Sequence, residues 1–180
     1  LILGKEDSLE LEDEINIDEN SIETDLLIID RLKKTIEEFA KYYKKGEKAL
    51  FFAKHDNLGQ KPGGGSKSHA DNLVYWIRRV LNLGDNQVQK ITYRSAQDSK
   101  ALIKKFRNDT GEDGLNIVVS VDMLSTGVDI PRIQHIFFDR LVKSRFLYEQ
   151  MIGRGTRLCP EINKTHFTIY DTFGVCELHK

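Results

Sequence analysis

Cysteine is scarce in this sequence, and long hydrophobic runs are missing. Its 180 residues include two cysteines, Cys159 and Cys176, which form no Cys-x-x-Cys unit, and the five histidines show no metal-binding spacing. A metal site is therefore not expected. Both thiols are expected to be reduced, as in a cytoplasmic protein. No apolar stretch approaches the ~20 residues that span a bilayer, so a membrane partner is not expected either.

The first residues lack the features of a natural start. Residues 1–5 have neither an initiator methionine nor the apolar core of a signal peptide, which suggests a piece of a longer protein. The net charge of −1 hides an asymmetry, because residues 1–25 carry −9 and the remainder therefore +8. We interpret residues 1–20 as an acidic linker or boundary segment. Residues 21–180 are then one domain, basic enough for a phosphate-bearing partner.

Helical apolar spacing alternates with short continuous apolar runs along the body of the chain. The runs predict strands at residues 49–53, 88–92, 115–121, 133–138 and 166–170. The helical spacing predicts helices at residues 22–45, 71–83, 99–108 and, capped by Ser144, up to about residue 152. This alternation predicts an α/β fold with a mainly parallel sheet and helices on both faces. In such sheets ligands bind at the carboxyl ends of the strands, so the polar segment that directly follows the third predicted strand is expected to lie on this edge.

One polar segment has the pattern Gln-x-x-Gly-Arg-x-x-Arg and follows the fourth predicted helix. It places Arg154 and Arg157 three residues apart, with Gln150 preceding them at helical spacing. Two forked guanidinium groups next to flexible glycines can converge on one phosphate-sized target. A salt-bridge cluster on a basic turn would explain either arginine alone, but the whole pattern favours a functional site.

A second polar segment, Ser-Thr-Gly-Val-Asp-Ile-Pro, follows the third predicted strand. Ser125 and Thr126 offer short hydroxyl groups and main-chain amides that suit a nucleic-acid phosphate. Gly127 permits close backbone approach, and Asp129 can accept a hydrogen bond from a sugar hydroxyl. An ordinary turn with Asp129 as a helix cap is the alternative interpretation of this segment taken alone.

A glycine-rich segment at residues 61–68 looks like a phosphate loop but does not match Walker A. That pattern, Gly-x-x-x-x-Gly-Lys-Ser/Thr, needs a glycine directly before the lysine, and Ser66 stands before Lys67 here. A Walker B carboxylate pair after a strand is also missing from the sequence. A surface loop is therefore favoured over an ATP cradle.

The two polar segments, in this order, resemble motifs V and VI of superfamily 2 helicases and translocases, and residues 49–53 resemble motif IV. The resemblance covers roughly residues 47–175 and implies a RecA-like three-layer domain, the second of the two lobes of such a motor. The first lobe, with the phosphate loop and the magnesium-binding carboxylate, would lie elsewhere. The residues of the two segments are most similar to motifs V and VI of the motor (R) subunit of type I restriction enzymes.

The resemblance implies a role for each motif residue. Arg157 would act as the arginine finger on the γ-phosphate of ATP, with Arg154 as its partner and Gln150 orienting the site. Asp129 would accept from the ribose, and Gly127 would allow the nucleotide to approach.

The resemblance also implies contacts between this lobe and the DNA backbone, from Thr92, Arg94, Ser125 and Thr126. The expected partners are double-stranded DNA, the first RecA-like lobe, and the modification and specificity subunits of a type I enzyme. ATP and Mg²⁺ are the expected cofactors, held mainly by the first lobe, so the chain alone is expected to be inactive.

Three alternatives stay open from the sequence alone. The chain resembles other superfamily 2 DNA helicases, of the type III restriction or repair type, only less closely. A non-enzymatic α/β binding module, such as a flavodoxin-like domain, would share the strand and helix pattern. A self-sufficient P-loop NTPase would have to use Lys67.

Overall fold

A five-stranded parallel sheet forms the centre of the fold. The computed structural model describes residues 19–56, 68–92, 99–121 and 129–180, with side chains from residue 29 onward. The elements are α1 (Glu19–Ala40), β1 (Lys48–Ala53), α2 (His69–Leu81), β2 (Val88–Ile91), α3 (Ser99–Asn108), β3 (Ile117–Ser120), β4 (Ile133–Asp139), α4 (Arg145–Ile152), a 3-10 turn (Pro160–Ile162), β5 (Thr168–Asp171) and α5 (Val175–Leu178). The strand order is β2-β3-β1-β4-β5, and all neighbouring strands are parallel. None of the helices among these residues is long and apolar enough to cross a bilayer.

Alternate residues of the central strands pack on opposite faces of the sheet, because successive side chains of a strand point to opposite sides. One face packs against α3 and α4 through Leu50, Phe52, Val118, Ile136, Phe138, Leu102, Phe106 and Met151. The other face packs against α1 and α2 through Ala49, Phe51, Val119, Phe137, Leu32, Ile36, Phe39, Leu73 and Ile77. The predicted three-layer α/β fold, with a parallel sheet and helices on both faces, is confirmed.

Four predicted helix boundaries are wrong, because the first helix spans residues 19–40 rather than 22–45 and the second spans 69–81 rather than 71–83. The first helix ends at Ala40 rather than at residue 45. The amides of Lys41 and Tyr42 bond there to carbonyls three residues back, those of Glu38 and Phe39, as in the tighter turns that often close a helix. The second begins at His69 rather than residue 71, because Ser68 and Asp71 form a capping box in which each side chain bonds the other's main-chain amide.

A buried carboxylate joins the helices of one face to the ends of β4 and β5. Asp139 is fully buried and accepts from Arg31 Nη1 at 2.9 Å and from Thr172 Oγ1 at 3.1 Å. His69 Nε2 lies 2.9 Å from its other oxygen, and His69 Nδ1 accepts from the Lys54 amide, so Nε2 is the donor. Burial raises the pKa of Asp139, but the three partners outweigh it and hold the pKa below its ordinary value.

A buried lysine closes the opposite end of the sheet. Lys48, at the start of β1, is 3% exposed. Its ammonium donates to the Leu115 carbonyl at 2.8 Å and lies 4.9 Å from the centre of the Phe106 ring. Burial lowers the pKa of this lysine to about 8, because the low-dielectric interior disfavours the charged form.

This shift predicts that the contribution of Lys48 to the free energy of unfolding increases as the pH rises above about 8. The folded lysine releases its proton near pH 8, whereas the unfolded chain keeps it up to the ordinary pKa of 10.5, so the unfolded state binds more protons between these values. The free energy of unfolding of the wild type, relative to Lys48→Met, should therefore rise by about 1.5 kcal/mol from pH 8 to 9.5. Urea titrations across this range measure it. The exposed control Lys34→Met should keep the wild-type profile, and parallel profiles for wild type and Lys48→Met would contradict the prediction.

Candidate functional site

The loop after α4 carries both arginines of the predicted motif VI. The Ser144 hydroxyl caps the helix by accepting from the Leu147 amide at 3.3 Å, as predicted. The helix ends at Ile152, also as predicted, and tight turns follow it. We call residues 153–158 the arginine loop.

The structure brings the arginine loop into contact with the described part of the predicted motif V. Arg157 Nε lies 3.1 Å from Asp129 Oδ1. The two side chains are 61% and 48% exposed, so solvent screens the pair and it adds little to stability. The contact with the carboxylate instead orients the guanidinium group of Arg157, which stays accessible to solvent.

Arg154 lies close to the same pair but is half-buried. Burial lowers its pKa, the nearby Arg157 lowers it further, and Asp129 opposes both. An arginine stays protonated throughout the physiological range even so. Among the described residues, two cations therefore share one carboxylate, and the net positive charge of these three groups suits a phosphate-bearing ligand.

The site lies where the chain enters β4 and β5, and not at the carboxyl ends of the strands. Asp129 is four residues from the start of β4, and the arginine loop follows a helix that returns from the carboxyl end of the same strand. For Asp129, the predicted location at the carboxyl end of the third strand is therefore wrong. The physical reason is that each connection in a parallel sheet must cross back to the amino end of the next strand.

A close approach of main chain and ring shapes the arginine loop. Gly155 is buried, and a Cβ atom at this position would lie 2.4 Å from Cδ2 of Phe167. The Phe167 ring packs against the hydrophobic core on the α3–α4 face. Only glycine lets the loop lie directly on this ring.

Lys164 was not predicted from the sequence. It is 6% exposed, and its ammonium donates to the carbonyls of Pro131 at 2.8 Å, Gly155 at 2.8 Å and Arg157 at 2.7 Å. Burial lowers its pKa. A single lysine in a loop has no sequence pattern, although Pro160 and Asn163 indicate the turn that places it.

The other predicted site residues are more widely spread. Gln150 lies in the last turn of α4 and is half-buried. Thr92 directly follows β2, is 3% exposed, and its hydroxyl donates to Asp56. Its predicted contact with DNA stays a prediction. Four further predicted site residues, Arg94, Ser125, Thr126 and Gly127, lie outside the described residues.

Asp56 belongs to a polar network at the carboxyl ends of β1 and β2 that sequence reasoning also missed. Lys90 Nζ lies 2.7 Å from both Asp56 Oδ1 and Asp71 Oδ1. Burial raises the pKa of each carboxyl, but the hydrogen bonds from Lys90 and its neighbours outweigh it and hold both pKa values below the ordinary range. The position of Asp56 just after a buried strand was the available signal.

The fold and the site together define an α/β domain in which an exposed guanidinium group, a second arginine and a carboxylate lie close together, an arrangement whose chemistry suits an anionic group. The model of the helicase conserved C-terminal domain family matches residues 27–159, and the chain belongs to that family. The predicted second lobe of a superfamily 2 helicase is thereby confirmed.

Similarity to individual proteins agrees with this assignment. The chain is 45% identical, over 115 residues or 61% of its length, to the type I restriction enzyme EcoKI endonuclease subunit of Escherichia coli (strain K12). It spans only 10% of the length of that subunit.

Two solved structures share the fold. A fragment described as an HsdR subunit of a type I restriction enzyme from Vibrio vulnificus YJ016 matches with a TM-score of 0.65 and 21% identity, over 86% of this chain and 30% of that one. Domain 2 of the DEAD-box helicase Mss116p, bound to an RNA duplex, matches with a TM-score of 0.59 and 19% identity, over 80% of this chain and 50% of that one. At these identities the matches show the fold alone.

The contact between Gly155 and Phe167 predicts a stability cost for a single methyl group. Gly155→Ala should lower the free energy of unfolding by about 1–3 kcal/mol, because the added methyl overpacks against the ring. Gly84→Ala is the matched control, since its Cβ would meet Gln87 Oε1 at an ordinary 3.6 Å. Urea unfolding measures both variants. The cost of Gly155→Ala should shrink in a Phe167→Leu background, and equal stability of the two alanine variants would contradict the prediction.

Proposed function

We propose that this chain is the second motor lobe of an ATP-dependent DNA translocase, of the kind found in type I restriction R subunits. Family membership and the identity to the EcoKI subunit support the class. The observation that carries the proposal is the contact between Arg157 and Asp129, because it joins motif V to motif VI in one positively charged site.

In the proposed motor, ATP lies between this lobe and a first lobe that holds the phosphate loop and Mg²⁺. We propose that the first lobe holds Mg²⁺ through its carboxylate. The part of this chain that the structure describes has no group of three or more histidine, cysteine or carboxylate side chains that could hold a metal. Mg²⁺ would neutralise charge on the phosphates, and this lobe would contribute arginines.

Arg157 is proposed as the arginine finger. Charge spreads over the γ-phosphate oxygens as the phosphoryl group leaves, and an external arginine that stabilises it contributes about 10³–10⁵ in rate. Arg157 is 61% exposed and can reach a partner lobe, whereas the half-buried Arg154 is suited to support it. Asp129 would bind the ribose hydroxyl, Gln150 would orient the site, and Gly127 would let the nucleotide approach.

Contacts with the DNA backbone are proposed for four residues. Arg94, Ser125 and Thr126 supply the side chains suited to phosphate. Thr92 is proposed as the fourth contact; its hydroxyl donates to Asp56 just after the end of β2. Modification and specificity subunits are the proposed further partners, with residues 1–20 as a linker and 21–180 as the lobe.

The test uses the protein that contains both lobes. Arg157→Ala should lower DNA-stimulated ATP turnover by about 10³-fold or more, because the transition-state charge loses its external cation. The fold should survive, since Arg157 is largely exposed. Turnover is measured with a coupled phosphate assay and folding by circular dichroism.

Arg107→Ala, which removes an exposed arginine of α3, is the matched control and should keep normal turnover. Wild-type turnover in a folded Arg157→Ala variant would refute the finger role. The 180-residue chain alone should show no ATP turnover above background, with or without DNA.

A further inference from the structure

We propose that Lys164 is a positioning residue that sets the arginine pair by binding the main chain of both motif segments at once. The proposal rests on the proposed function for the reaction concerned, but the contact itself can be tested without it. We call the ammonium of Lys164 and the three carbonyls that it binds the lysine clamp.

The lysine clamp uses all three donors of the ammonium group. One proton goes to Pro131 and two go to the arginine loop, at Gly155 and Arg157, with distances between 2.7 and 2.8 Å. Main-chain segments that are distant in sequence thereby meet at one nitrogen atom. Because the acceptors are carbonyls, the geometry constrains the backbone directly.

The clamp acts within two residues of each member of the ion pair. Pro131 is two residues beyond Asp129, and Gly155 lies next to Arg154. The Arg157 carbonyl is itself an acceptor. A displacement of Lys164 would therefore move the carboxylate and both guanidinium groups relative to one another.

The chain holds Lys164 in place through a short hairpin. The Lys164 amide donates to the Cys159 carbonyl at 3.0 Å, and the Cys159 amide donates back at 3.4 Å. Between them, the 3-10 turn and Asn163, whose φ is 53°, reverse the chain direction. This reversal carries the lysine back beneath the arginine loop.

Stability alone is a poor explanation of the clamp. Among the residues that the structure describes, no carboxylate pairs with the Lys164 ammonium, and burying a charge costs several kcal/mol before its hydrogen bonds offset it. Neutral groups could hold a loop at lower cost. A cation with three donors is, however, the one side-chain group that can fix three separate carbonyls at one point.

The first test observes the clamp in the wild-type chain. The ammonium protons of Lys164 should exchange with water slowly enough to give a ¹H–¹⁵N signal with correlations to the carbonyls, unlike those of exposed lysines such as Lys104. Fast exchange at Lys164, like that of the exposed lysines, would overturn the clamp without any variant being made.

The second test uses ATP turnover by the protein that contains both lobes. Lys164→Met keeps the length of the side chain and removes the donors. We expect kcat to fall by about 10²-fold with little change in KM for ATP, because a displacement of about 1 Å in a positioned group costs this much. Lys164→Arg, which restores donors, should recover part of the loss. Lys104→Met is the matched control.

A double-variant cycle separates positioning from stability. If Lys164 acts through the arginine loop, Lys164→Met should cost far less in an Arg157→Ala background than in the wild type. Undiminished kcat in folded Lys164→Met, or an equal cost in both backgrounds, would overturn the inference. If Lys164→Met does not fold, the exchange measurement and Lys164→Arg decide the matter.

The outcomes also separate this inference from the proposed function. Slow exchange at Lys164 with normal turnover in Arg157→Ala would leave the clamp intact and refute the motor role of the loop. Loss of turnover in Arg157→Ala with unchanged kcat in Lys164→Met would support the motor role of the loop and refute the positioning role of Lys164.

Discussion

Parallel pairing of β1 with both β3 and β4 is the constraint on which the rest of the structure depends. Phe52 pairs with Ser120 on one side and with Phe138 on the other, so all three strands end together. Every connection must then return across a face of the sheet before the next strand can begin. This requirement divides the polar residues between two sides of the domain: buried networks around Asp56 and Asp139 where strands end, and the arginine site where β4 and β5 begin.

The segment between β3 and β4 joins these two sides, and cations from elsewhere in the chain bind it near both ends. Arg140 donates to the Val121 carbonyl at 3.2 Å where the segment leaves β3. Lys164 donates to the Pro131 carbonyl at 2.8 Å where it approaches β4. In a motor of the proposed kind, one end of this segment would face DNA and the other would face ATP.

The sequence predicted those features that follow from repeated local patterns. The strands appear as continuous apolar runs, because a central parallel strand is buried on both faces. Ser144 could be predicted as a cap because its hydroxyl bonds only within the helix that it begins. Motif spacing identified Arg154, Arg157 and Asp129 as a group. Lys164 and Asp56 were missed, since their roles arise from contacts between segments distant in the chain. The predicted location of Asp129 at the carboxyl end of the sheet was wrong. Residue types alone do not show how far a connection has already crossed the sheet when the chain reaches a given residue.

The pairing of Arg157 with Asp129 has an energetic consequence for any anion that arrives. A bare guanidinium group would give up its hydration shell on binding, whereas here the carboxylate already occupies part of that shell. An incoming phosphate would therefore exchange one negative partner for another. In a motor of the proposed kind, this exchange would make the net gain on binding smaller than for an unpaired arginine, which would favour release of the ligand between cycles.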